Sequence, residues 1–130
     1  MTNNEVYEAF NSGVLTLPQG ETLFSDIPWS KHPVFEGVEL KHILISKDTG
    51  GAFSFHLVRI APEKNIGSHV HGTQLETHEV ISGSGTCVND GITLDYKSGT
   101  VSIFPAGVPH EVHAGKDGLN LFAKFFPALC

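Results

Sequence analysis

Residues 66–85 read IGSHVHGTQLETHEVISGSG and carry the clearest structural signal in the chain. His69 and His71 are two positions apart, and Glu76 follows at the start of a run of strand-forming residues. Side chains two apart in an extended strand point to the same face. Two imidazoles and one carboxylate can therefore converge on one point, as a divalent transition metal requires.

A second stretch supplies a candidate for a fourth ligand. Residues 99–110, GTVSIFPAGVPH, read as a strand, a Pro/Gly turn and a histidine, His110, directly after the turn. Gln74 is an alternative oxygen ligand if the loop before Glu76 is shifted. Three imidazoles and one carboxylate suit Fe(II), Mn(II), Co(II), Ni(II), Cu(II) or Zn(II), and the composition of the set does not choose among them.

The two stretches together resemble the paired motifs of the cupin superfamily. In the first, His69-x-His71 is followed after four residues by Glu76 and after six more by Gly83. In the second, Gly99 precedes Pro105-x-Gly107 by five residues, and His110 follows after two. The resemblance implies a metal site formed by His69, His71, Glu76 and His110.

Two positions depart from the family pattern. Motif one, residues 63–83, would open on glycine but has Glu63, and motif two, residues 99–114, would close on asparagine but has Ala114. Both positions are expected in turns or at strand ends, so neither departure affects a metal ligand.

The length, composition and charge of the chain limit the class of protein. The 130 residues are 40% hydrophobic, which fits one domain spanning residues 1–130, and no apolar run approaches the ~18 residues that span a bilayer. The formal charge is −6 with scattered basic residues, so neither nucleic acid nor a membrane is an expected partner. Residues 1–13 contain no lysine or arginine, and we expect a cytoplasmic location. Cys87 and Cys130 suggest neither a disulfide framework nor a thiolate site.

The remaining pattern predicts about eight to ten short strands at turn intervals of 8 to 12 residues, typical of an all-β sandwich or barrel. The cupin resemblance narrows this to a jelly-roll barrel. Residues 1–37 are expected to form an extension with edge strands, in which Thr2 and Glu5 could cap a helix through about Asn11 or belong to a frayed arm. A loop is expected at residues 47–51, and a turn at 115–118 between strands 111–114 and 119–126.

Strand alternation predicts which side chains face inward. If Glu76 points into the barrel, His78 does too, and His78 is a candidate general acid or base or a packed interior imidazole. Tyr96 and Phe104 are candidate pocket residues, although aromatics at strand spacing are also typical of a core. Surface or dimer contacts are the expected roles of four further histidines: His32, His42, His56 and His113. Large apolar residues occur on both faces of the predicted strand 119–126, which favours a homodimer.

Such a metal leaves two mechanisms open for an enzyme acting on a small polar metabolite: a dioxygenase with a redox metal, or an isomerase or lyase with a Lewis-acid metal. The alternative is a non-catalytic ligand-binding or sensor protein. Residues 81–127 also resemble the sugar-sensing barrel of AraC-type regulators, and we expect no DNA-binding part because the sequence ends at Cys130.

Overall fold

A computed structural model describes residues 3–130, except for the side chains of Asn3, Asn4 and Val6. It has the all-β jelly-roll architecture predicted from the motifs. Thr2 lies outside the described residues, so its capping role stays a prediction. The elements are α1 (Asn3–Asn11), β1 (Val14–Leu17), β2 (Gly20–Leu23), a 3-10 turn (Phe24–Asp26), β3 (Ser30–Lys31), β4 (Val38–Leu44), α2 (Ser46–Thr49), β5 (Ser54–Ile60), β6 (Asn65–His69), β7 (Leu75–Asn89), β8 (Ile92–Lys97), β9 (Val101–Phe104) and β10 (His110–Phe126).

Two long antiparallel strands, β7 and β10, connect the two halves of the barrel. The first part of β10 lies between β6 and the second part of β7, and its last part lies between β5 and the first part of β7. The predicted turn at residues 115–118 is wrong: the strand continues through a register shift between Ala114 and Leu119. Glycines at both ends of this shift let the strand bend without ending.

Gly83 lies opposite this shift, paired with Leu119. Its φ of +92° is in the left-handed region that favours glycine. A Cβ at this position would come within 2.1 Å of the carbonyl oxygen of Gly118. The first motif therefore ends on glycine because the two long strands approach too closely for any side chain.

The sheet separates two apolar clusters. The inner one fills the barrel and includes Leu121 and Phe125 from β10. The outer one includes Phe122 from the opposite face of β10, together with Leu57 and Phe24. The second apolar face of residues 119–126 is thus covered by the protein's own N-terminal region, so this pattern gives no support for a dimer.

The motif departures have different structural settings. Glu63 is in a turn with φ of +62°, a conformation in which glycine costs less than a side chain, and this gives a physical reason for the glycine of the family pattern. Ala114 was expected near a strand end but lies inside β10, buried in the inner cluster. Residues 47–51, expected as a loop, begin within the short helix α2.

Among the described residues, no helix has the length and apolar character needed to cross a membrane.

Candidate metal centre

Four predicted ligands meet at one end of the barrel. His69 ends β6 and is paired across the sheet with His110, the first residue of β10. His71 lies in the loop after β6, and Glu76 is near the start of β7. One potential ligand atom from each of the four lies within 4.8 Å of each of the others.

The hydrogen bonds of His110 call for a cation at this point. Its Nδ1 lies 3.1 Å from the carbonyl oxygen of Val108, so Nδ1 carries the proton that it donates. Its Nε2 lies 2.8 Å from Oε1 of Glu76. An unprotonated ring nitrogen and a carboxylate are both acceptors, so a proton or a metal ion must hold them together. The donor set therefore fits a divalent metal.

His69 is oriented in the same way. Its Nδ1 donates to the carbonyl oxygen of Gly67 at 2.8 Å, which leaves Nε2 as the atom available to the cluster. Metal-binding histidines commonly have the second nitrogen fixed by such a bond. Burial lowers the pKa of both His69 and His71, so both rings are neutral at neutral pH, the form that binds metal.

Glu76 supplies the negative charge. Burial raises the pKa of its carboxyl group, but the rings of His78 and His110 lower it by more, so the net pKa is well below the ordinary value. The side chain is therefore a carboxylate although it is 4% exposed. A buried carboxylate needs a compensating positive charge, and a bound metal would provide it.

His78 lies behind Glu76 and links it to Tyr96. Its Nε2 donates to Oε2 of Glu76 at 2.8 Å, and its Nδ1 lies 2.9 Å from the hydroxyl of Tyr96. Burial raises the pKa of Tyr96, which keeps the hydroxyl protonated and able to donate. Both nitrogens of His78 are thus already bonded within the protein.

The other candidate residues lie around this set. Phe104 stacks on the His110 ring with 4.1 Å between centroids, and both Phe104 and Tyr96 are about 1% exposed, in the core behind the site. Gln74 donates to the carbonyl oxygen of Ala128 at 2.9 Å, so it holds the C-terminal segment in place.

A cavity of about 280 Å³ opens onto His69, His71, Glu76 and His78, while His110 is buried beside them. Its wall is largely apolar and includes side chains that the sequence did not single out. These are Val38, Leu40, Val58, Ile66, Leu121, Ala123, Phe125 and Leu129.

Of the four histidines predicted at surface or dimer contacts, His56 is clearly misassigned. It is fully buried, because β5 has inward-facing residues at even positions, as Val58 and Ile60 show. His32 and His42 line the cavity. His113 points away from the barrel and bonds Glu111 at 2.8 Å, as strand alternation predicts.

The burial of His56 makes the stability of the metal-free protein sensitive to acid. Burial first, and then His42, lower the pKa of His56 to about 4. In the unfolded chain His56 takes up a proton near pH 6.5, whereas in the folded protein it does so only near pH 4. The stability that the neutral His56 ring contributes is therefore complete above pH 6.5 and is lost as the pH falls to 4. This loss is worth roughly 3 kcal/mol.

Between pH 6.5 and pH 4, we therefore expect the free energy of unfolding to fall by roughly 3 kcal/mol less in His56→Gln than in the original protein. Urea unfolding in the presence of a chelator measures both pH dependences. Parallel curves for the two proteins would show that His56 titrates normally in the folded state.

The family described as "Cupin domain" matches residues 56–122, slightly more than half of the chain. The chain belongs to the cupin family. The matched region contains the four clustered side chains of this cupin. No curated protein matches the chain in sequence.

Solved structures support the same fold for this cupin. A predicted oxalate decarboxylase from Thermotoga maritima superposes with a TM-score of 0.72 at 23% identity, covering 79% of this chain and 95% of that one. An RmlC-like cupin from Shewanella frigidimarina gives a TM-score of 0.72 at 15% identity, covering 83% and 90%. The polyketide cyclase RemF from Streptomyces resistomycificus gives 0.67 at 20% identity, covering 79% and 75%.

Proposed function

We propose that this cupin is a metal-dependent enzyme that acts on a small metabolite in the barrel cavity. The observation that carries the proposal is the convergence of His69, His71, Glu76 and His110 on one point, where the first three also line the cavity. When bound there, the metal would supply Lewis acidity or, for a redox metal, electron exchange with the substrate and O2.

The cavity suggests how a substrate would be held. The polar group to be transformed would lie against the ligand set, because most of the surface of the wall is apolar. The substrate body would lie against the apolar side chains of Val58, Leu121 and Phe125. We therefore expect a small molecule with one strongly polar end, such as an enediol, thiol, catechol or carbonyl compound.

We propose that His78 positions Glu76. To move a proton to or from a bound substrate, His78 would have to break its hydrogen bond to either Glu76 or Tyr96. The acid or base role predicted for His78 stays a prediction, which the pH profile of kcat tests: His78→Gln should preserve the profile if the residue only positions Glu76. Loss of one limb of the profile would instead assign proton transfer to His78.

The reaction class is tested by loading the protein separately with Fe(II), Mn(II), Co(II), Ni(II), Cu(II) and Zn(II). Oxygen uptake with small thiols, enediols and catechols would identify a dioxygenase. Proton exchange or bond cleavage in carbonyl compounds, followed by NMR, would identify an isomerase or lyase. We expect turnover of compounds from one of these two groups, and this turnover should be lost in His69→Ala and kept in His113→Ala.

The alternative is a ligand-binding or sensor cupin. The apolar wall of the cavity favours this alternative, because apolar contacts can bind a small molecule without any catalysis. Tight binding of a panel compound without turnover under any metal would support this alternative and contradict the enzyme proposal.

A homodimer and a cytoplasmic location stay predictions. Exposed apolar side chains on β8 and β9 support the dimer, because a second copy could cover them. They are Ile92, Leu94, Val101 and Ile103.

A further inference from the structure

A second group of metal-binding side chains lies outside the four-ligand site. His42 on β4 and His56 on β5 are cross-strand partners, and their Nδ1 atoms are 2.7 Å apart. The thiol of Cys130 completes the group, in which all three potential ligand atoms lie within 4.8 Å of one another.

Hydrogen bonds to residues outside the group hold His56 and the backbone of Cys130 in place. The Nε2 of His56 is bonded to Oγ of Ser54 at 2.8 Å, so Nδ1 is the ring atom that faces the group. The same Oγ accepts the backbone N–H of Leu129 at 2.8 Å. The carbonyl oxygen of Cys130 accepts the N–H of Ser46 at 2.6 Å. The backbone on both sides of the thiol is thus tied to α2 and β5.

We propose that His42, His56 and Cys130 bind a second transition-metal ion. Two imidazole nitrogens and one thiolate sulfur suit Zn(II), Co(II) or copper, and the partial exposure of the group leaves room for a water or another ligand. The cation would take the place of the proton that the two Nδ1 atoms now share. A shared proton explains why the two ring nitrogens lie so close together, but it does not explain why a thiol lies beside them.

The second site is separate from the first. No side chain belongs to both groups, although the ring of Phe125 packs against His56 of the second group and His71 of the first. The proposal therefore does not depend on the proposed function. A metal at this site would also fasten the segment that contains Leu129, which forms part of the cavity wall.

Titration of metal-free protein with Co(II) tests the proposal, because thiolate ligation to Co(II) gives a near-ultraviolet charge-transfer band. The first site contains no sulfur. We expect a band that corresponds to one thiolate-bound Co(II) per chain, saturates only when both sites are filled, disappears in Cys130→Ser and persists in His110→Ala. Since Cys130 is exposed, Cys130→Ser should fold normally. Absence of the band, or an unchanged band in Cys130→Ser, would overturn the proposal.

A second measurement does not depend on spectroscopy. Zn(II) should slow alkylation of Cys130 by at least about tenfold in the original protein and should give no protection in His42→Asn. His42 is only half-buried, so this variant perturbs the core less than a change at His56. Equal alkylation with and without Zn(II) in the original protein would contradict a site that includes the thiol.

Discussion

His69→Ala is expected to raise the dissociation constant of the metal at the four-ligand site by more than about 100-fold, since loss of an outer partner alone costs 10- to 100-fold. His69 supplies one of four donors, and its Nδ1 bond to Gly67 holds the ring ready for ligation. Calorimetric titration with Co(II) in a Cys130→Ser background measures this site without the second one.

His113→Ala is the matched control. His113 is on β10 three residues after His110, but it points out of the barrel and bonds Glu111. This variant should bind Co(II) as tightly as its parent. If His69→Ala and His113→Ala have the same affinity, His69 is not a ligand.

Gly83→Ala is expected to destabilise the protein by at least about 4 kcal/mol or to prevent folding. Two effects combine: a left-handed conformation costs a side chain about 1–2 kcal/mol, and the new Cβ would overlap the carbonyl of Gly118. The obstructing atom is backbone, so no change of rotamer relieves the contact. The midpoint of urea unfolding measures the effect.

Gly99→Ala separates these two effects. Gly99 has nearly the same φ, +90°, but a Cβ there would meet no atom within 4 Å. Its replacement should therefore cost only about 1–2 kcal/mol. Equal losses at the two positions would show that the strands tolerate a side chain at the bend.

The site could be predicted from the sequence because its residues obey local rules. The two-residue periodicity of a strand relates Glu76 to His78, and burial follows that alternation over residues 75–80 of β7. His71 lies in the loop after β6, so its position beside His69 does not come from strand periodicity. His110 follows a turn that the Pro/Gly pattern already marks. The family motif then joins two segments that periodicity alone could not bring together.

Features that depend on pairing register could not be predicted. His42 and His56 become neighbours through the alignment of β4 with β5, and hydrogen bonds of the C-terminal segment to Ser46 and Ser54 bring Cys130 to them. Inward-facing neighbours such as Val58 gave a usable signal for His56, since residues two apart share a face. The continuity of β10 through residues 115–118 was hidden because glycine-rich turns and glycine-rich bends look alike in sequence.

Anomalous diffraction at the metal absorption edge, from crystals grown with the metal that the protein binds, would show whether the four side chains hold one ion. We expect an ion about 2.0–2.2 Å from the Nε2 atoms of His69, His71 and His110 and from an oxygen of Glu76. An ion bound elsewhere with these four side chains pointing apart, or no ion at this point in metal-saturated crystals, would contradict this expectation.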